Sequence, residues 1–238
     1  MNDQLIQRLT IDWSKIEEDS YLRNIEALQG VECMEFTHSI TFFVGENGSG
    51  KSTLLEAIAV AYGFNPEGGT KNYCFSTYDS HSELYAALRL SKGYRRVKGG
   101  YFLRAESFYN VATQEELYAD PDHPSERYHE KSHGESFLAI ARSRLSPGGV
   151  YLLDEPEAAL SPQRQLTLLT EIWHCAQQGS QFLIVTHSPI LLGIPGAEIL
   201  TFDNGPVHSC SYEETDSYQI TELFINHRQE ILRRLIGE

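Results

Sequence analysis

Three short, almost wholly apolar runs stand out along the chain: Ile40-Thr41-Phe42-Phe43-Val44, Val150-Tyr151-Leu152-Leu153 and Phe182-Leu183-Ile184-Val185. Each is too short for a helix and rich in β-branched or aromatic residues. Continuous apolarity of that kind predicts strands of a sheet covered on both faces. Between the runs, apolar residues recur at helical spacing. Leu54, Leu55, Ile58, Ala61 and Tyr62 share one face and end at Gly63, a helix followed by its C-terminal glycine. Phe137, Leu138, Ala141 and Leu145 form a second stripe, halted by Ser146-Pro147-Gly148-Gly149. Leu166, Leu169, Ile172, Trp173 and Ala176 form a third, opened by Ser161-Pro162 as cap and first turn and closed by Gly179. Strands alternating with helices predict an α/β fold, with a mainly parallel central sheet flanked by helices. A last stripe, Ile220, Leu223, Phe224, His227, Ile231 and Leu235, predicts an amphipathic helix docked on the body. Residues 64–100 show no clear period.

Composition narrows the function classes. The 238 residues include 19 Lys and Arg against 33 Asp and Glu, a net charge of −14. That balance excludes a general polycation coating nucleic acid through bulk charge, while 41% hydrophobic and 22% charged residues fit a globular chain. The longest apolar stretch, Ile190 to Ala197, is short and interrupted by Gly and Pro, so no membrane span is expected. The N-terminus lacks a basic-then-apolar signal pattern. Cys33, Cys74, Cys175 and Cys210 lie far apart without CxxC spacing, as in a cytoplasmic protein with reduced thiols.

Candidate chemistry begins directly after the first strand. Gly45-Glu46-Asn47-Gly48-Ser49-Gly50-Lys51-Ser52 matches GxxxxGK[ST] in full, between a predicted strand and a predicted helix. Glycines let the backbone curl so that successive N–H groups face phosphate oxygens, and the helix N-terminus adds its positive end. Lys51 can bridge β- and γ-phosphates, Ser52 can offer its hydroxyl to Mg²⁺, and Thr53 continues the phosphate-facing first turn. The second run delivers Asp154-Glu155 to the end of its strand, where ligands bind in open α/β sheets. Asp154 is expected to hold Mg²⁺ and Glu155 to polarise the attacking water as general base. The third run ends in Thr186-His187-Ser188-Pro189, placing His187 on a neighbouring strand within reach of a γ-phosphate.

With Ser132-His133-Gly134-Glu135-Ser136 opening the second helix, the sequence resembles the ABC-type ATPases. Their order is P-loop, glutamine loop, signature motif, Walker B with catalytic glutamate, D-loop and switch histidine. SHGE stands where that superfamily has SGGQ or SGGE, so His133 replaces a glycine. Asp154-Glu155-Pro156 matches DEP, Ala159-Leu160-Ser161 looks like the D-loop, and His187 fits the switch histidine. Glu106, in Tyr101-Phe102-Leu103-Arg104-Ala105-Glu106-Ser107, takes the place of the glutamine-loop residue near Mg²⁺. Glu157 after DEP makes the chain more similar to the RecF/SMC-like branch than to transporters. The short stretch between Glu106 and Ser132 leaves no room for a coiled-coil arm. The resemblance implies one ATPase domain over residues 1–238, with a signature lobe near 105–147.

That resemblance also implies ATP and Mg²⁺ as ligands. In such families Ser132, Gly134 and Glu135 of one protomer cap the γ-phosphate bound at Lys51 of another, giving an ATP-dependent head-to-tail homodimer. The output is then expected to be a switched protein effector or a DNA-associated process, with no membrane partner. An alternative is an ATP-gated scaffold with negligible turnover that holds a toxin or nuclease partner, an option suggested by the changes at His133 and Glu106. A transporter subunit is a third option, disfavoured by DEPE.

Two further patterns compete for attention. His129-Glu130-Lys131-Ser132-His133 is literally HExxH, but zinc chemistry needs both histidines on one continuous helix, and the upstream Asp120-Pro121-Asp122-His123-Pro124 indicates a loop. Arg89, Lys92, Arg95, Arg96 and Lys98, interleaved with Tyr94 and Tyr101, form the densest basic cluster, a candidate contact for a nucleic acid backbone or a solvated turn. Trp13 and Tyr21 are candidate adenine-stacking residues.

Overall fold

The computed structural model describes residues 2–70, 82–104 and 133–237, with residues 133–137 and 140 described by their backbone alone. The first strand, β1 (Ile6–Ile11), leads through three single-turn helical segments between Trp13 and Leu28 to β2 (Cys33–Glu35) and β3 (Ile40–Val44). Then come α1 (Lys51–Tyr62), the one-turn α2 (Leu84–Ala87), β4 (Leu88–Lys92) and β5 (Gly99–Arg104). The second half alternates: α3 (His133–Arg144), β6 (Gly149–Asp154), α4 (Pro162–Gln177), β7 (Gln181–Val185), α5 (Pro189–Leu192), β8 (Glu198–Thr201), β9 (His208–Ser209) and α6 (Asp216–Ile236).

These strands form two sheets. Six strands in the order β5-β6-β7-β3-β8-β9 make the central sheet, parallel except for β9. A smaller antiparallel sheet, β2-β1-β4, lies against it. The expected mainly parallel sheet is therefore present, and the three-stranded sheet is an addition that the sequence pattern did not announce. Its strands mix buried, half-buried and exposed positions instead of running wholly apolar.

Because the central strands are buried on both faces, their period of two splits the core in half. Phe43, Phe102, Val150, Leu152, Leu183 and Val185 face α1 and the small sheet. Their neighbours Phe42, Val44, Tyr101, Tyr151, Leu153, Phe182 and Ile184 face α4 and α5. The two sheets are pinned by one side chain. The Gln181 amide accepts from the Ile6 backbone N–H at 2.6 Å and donates to the Ile6 carbonyl at 2.9 Å, both bonds buried.

Helix ends follow the sequence signals. Gly63, at φ +104°, takes the left-handed conformation that ends α1. Ser161 accepts from the Arg164 N–H at 3.4 Å to cap α4, with Pro162 in its first turn. The last helix departs from expectation. α6 does form, but none of its residues is buried, and its backbone kinks at His227, where φ is −125°. It is therefore not docked through its apolar stripe. Among the described residues, no helix is long and apolar enough to cross a membrane.

Candidate nucleotide-binding site

Sheet order builds the site. β7 lies between β3 and β6, with Val185 in register with both Phe43 and Asp154. The chain segments that leave the C-terminal ends of these three strands are the loop at Gly45, the pair Asp154-Glu155, and Thr186-His187. Open parallel sheets present ligand-binding groups at this edge.

The loop from Gly45 to Gly50 needs its glycines at defined points. Gly50 has φ +97°, and a Cβ there would lie 2.6 Å from a methyl of Ile25. Gly45 has φ +140°, and a Cβ would fall 2.9 Å from the Asp203 carboxylate. That carboxylate accepts from the Glu46 N–H at 2.8 Å, holding the start of the loop to the end of β8. Lys51 opens α1 and folds back over the loop. Its ammonium, on a residue only 4% exposed, donates to the carbonyls of Gly45 at 2.7 Å and Glu46 at 2.6 Å. Burial pushes its pKa down from the ordinary lysine value, against the opposing pull of Asp203, Glu155, Asp154 and Glu46.

Ser52 and Asp154 meet, the hydroxyl donating to Asp154 Oδ1 at 2.8 Å. A hydroxyl beside a carboxylate at the foot of a glycine loop is a hard-oxygen donor pair that suits Mg²⁺ with phosphate and water completing its shell. Among the described residues, no group of three or more His, Cys, Asp or Glu is placed to hold a metal ion. Arg104 stands on the other side of Asp154, in register with it across β5 and β6, its Nε 3.7 Å from Oδ2. Its Nη1 donates to Glu56 of α1 at 2.6 Å, and Glu56 also accepts from the Ser82 N–H at 3.0 Å. The carboxylate of Asp154 is thus held between a hydroxyl and a guanidinium.

Glu155 has φ +49°, a left-handed conformation that only one other non-glycine residue, Asn204, shares among the described residues. Strain of that kind persists where the surroundings enforce it; here the Glu155 N–H is tied to the Val185 carbonyl at 2.9 Å. The side chain turns toward His187, with Oε1 and Nε2 3.9 Å apart and both groups partly open to solvent. The His187 backbone is placed by Glu157, whose Oε1 accepts its N–H at 2.6 Å. Burial raises the Glu157 pKa above the usual carboxylate range.

Lys51, Ser52, Asp154, Glu155 and His187 therefore lie at one edge of the sheet. Asn47, Gly48 and Ser49 lie in the loop, with Ser49 Oγ 3.4 Å from the Lys51 ammonium, and Thr53 lies in the first turn of α1. Gly134 and Glu135 are in the first turn of α3. Ser132, Glu106 and His129 lie outside the described residues. Trp13 packs on the core and donates to the Val31 carbonyl at 3.0 Å, whereas Tyr21 is exposed. In the basic cluster, Lys92 sits over the Tyr62 ring at 4.4 Å and Arg95 donates to the Asp3 carbonyl at 2.9 Å. Arg104, Glu56 and Asp203 were not among the expected site residues. The one available signal was position: Arg104 and Asp203 follow short apolar strands, as Asp154 does.

Comparison with known proteins fits this geometry. A family model described as "AAA domain" matches residues 21–122, and one described as "AAA domain, putative AbiEii toxin, Type IV TA system" matches residues 136–193. The ribose import ATP-binding protein RbsA 1 of Agrobacterium fabrum is 29% identical over 185 residues, 68% of this chain. The chain is similar to ATP-binding proteins of the ABC/AAA type and has the α/β fold of their P-loop domains. It spans only 36% of the length of that ribose import protein. Among solved structures, the chain shares its fold with cbiO1 from Clostridium perfringens, part of the ABC transporter complex cbiONQ. That match has a TM-score of 0.51 and 16% identity, and covers 96% of this chain and 97% of that one. The SMC head domain from Thermotoga maritima aligns at a TM-score of 0.46 and 15% identity, over 87% of this chain and 98% of that one.

Proposed function

We propose that this chain binds ATP with Mg²⁺ at the loop Gly45–Ser52 and hydrolyses it, and that two copies close head to tail over two nucleotides. The observation that carries the reading is the convergence of Lys51, Ser52, Asp154, Glu155 and His187 at the ends of β3, β6 and β7. Lys51 is preset to receive phosphate oxygens, since its ammonium is held by main-chain carbonyls and drawn away from solvent. Ser52 and Asp154 would hold Mg²⁺, which supplies charge neutralisation on the phosphates. Glu155 accepts a proton from the attacking water, and His187, fixed through Glu157, donates toward the γ-phosphate oxygen. Gly134 and Glu135, in the first turn of α3, act with Ser132 in the second protomer's site. Glu157 after Asp154-Glu155-Pro156 supports a RecF/SMC-like role in switching a protein effector or a DNA-associated process.

The test combines turnover with solution mass. Glu155→Gln is expected to lower steady-state hydrolysis by about 100-fold or more, as loss of a general base does, while retaining ATP binding and, at concentrations dilute enough for the nucleotide-free chain to be monomeric, shifting to a heavier species with ATP and Mg²⁺. Ser132→Arg should abolish the ATP-dependent shift. The match of residues 136–193 to a family whose description names the AbiEii toxin favours one second reading. In it, the same site binds ATP as a gate with negligible turnover and holds a toxin or nuclease partner. Equal, near-zero rates for wild type and Glu155→Gln would select it.

A further inference from the structure

Among the described residues, α6 carries most of the exposed large apolar side chains. Ile220, Leu223, Phe224 and Ile225 in its first half are 67%, 53%, 42% and 71% exposed, and Leu235 and Ile236 at its end are 75% and 62% exposed. A monomer scatters its exposed apolar side chains, whereas a contiguous stripe of them marks an interaction site. Ile220, Leu223, Phe224, His227, Ile231 and Leu235 recur at the spacing of one helical face.

The charges beside that stripe say what covers it. Before the kink at His227, the helix carries Asp216 and Glu222 and no basic residue; after it come Arg228, Arg233 and Arg234 with the single acid Glu230. The helix is acidic at one end and basic at the other, so it complements itself only when reversed. Asp216 and Arg234 are 18 residues apart, five turns at 3.6 residues each, and share a flank of the stripe to within the bend at His227. In a two-fold antiparallel pair, residues on the same flank meet, Asp216 with the partner's Arg234. A parallel pair would set like charges together at both ends. The local bond between Arg234 and Glu230 at 2.5 Å joins two exposed side chains, and such a pair resists exchange weakly.

The geometry points to α6 as a self-association surface that pairs antiparallel with α6 of a second copy, without nucleotide. Its first turns also line the cavity of about 610 Å³ that opens beside Gly45, Glu46 and His187. Pairing through α6 thus keeps a second copy close to the nucleotide edge in the absence of ATP, raising its effective concentration for closure.

Sedimentation equilibrium of the full chain, without nucleotide and up to about 200 µM, tests this at the weak end of specific association. A dimer is expected. Leu223→Glu with Phe224→Glu should weaken it by about 100-fold, as loss of central apolar anchors does, with an unchanged circular dichroism spectrum. Asp216→Arg should weaken it by about 5- to 10-fold, and adding Arg234→Asp should restore it, as expected for an exposed charge pair. A monomer throughout, or a dimer indifferent to the glutamates, overturns the surface; failure of the double reversal to rescue overturns the antiparallel arrangement. Lys51→Ala separates this proposal from the nucleotide reading. It should leave the nucleotide-free dimer intact while removing every ATP-dependent change.

Discussion

Glu157 sits where the chain turns from β6 toward α4, with Oε1 engaged by the His187 N–H and Oε2 closed off from solvent without a hydrogen-bond partner. Its raised pKa means that the fold prefers the protonated carboxyl. The associated stability is complete below the unfolded-state pKa and is lost as pH rises through the higher folded-state value. Glu157→Gln keeps the acceptor for His187 and removes the charge. It is expected to stabilise the protein at pH 8, with the gain fading at pH 4. Urea unfolding at the two pH values measures it. Glu157→Ala, which leaves the His187 N–H unpaired, should instead lower hydrolysis by about 10-fold, the scale of a disturbed positioning contact. This residue also shows what the sequence could and could not convey. DEPE drew attention to Glu157 through resemblance, but its hydrogen bond to the neighbouring strand end depends on β6 and β7 lying side by side.

At the scale of elements, legibility tracked burial on both faces. β3, β6 and β7 were visible as apolar runs to within a residue or so, because a strand covered on both sides has no polar position to blur it. β1, β2 and β4 were not visible, since strands that mix buried and exposed positions show neither a continuous apolar run nor a clean alternation. Gln181, the first residue of β7 and outside its apolar run, serves as a backbone surrogate linking the sheets. Gln181→Met preserves its bulk and removes both bonds to Ile6. An N–H and a carbonyl are then stranded in buried surroundings, each costing about 1–3 kcal/mol. A loss of about 2–4 kcal/mol is expected, seen as a lower urea midpoint at unchanged slope. A shift much below 1 kcal/mol would mean that the sheets are held by packing alone.

For the whole molecule, α6 separates two demands that other helices meet together. α1 and α4 owe their stability to apolar faces sunk in the core, the usual arrangement for helices of this length. α6 has no buried residue; what anchors it is the short segment before it. Thr215 is buried and caps the helix, Tyr212 donates to the Pro189 carbonyl at 2.9 Å, and the Tyr212 and Tyr218 rings lie 4.8 Å apart. Ending the chain after Gln219 keeps all of these contacts and removes the exposed stripe. Thermal unfolding of that truncated chain should therefore fall within about 3 °C of the full chain, the change that roughly 1 kcal/mol produces at this size. Nucleotide-free association should be lost in the same sample. A large drop in melting temperature at a concentration where the full chain is monomeric would show that α6 supports the body directly. An equal drop confined to concentrations where the full chain is paired would instead trace the stability to association, since coupling to a dimer makes melting concentration-dependent. The helix thus tests a division of labour in which the sheet edge handles the nucleotide and the last twenty-odd residues handle the second copy.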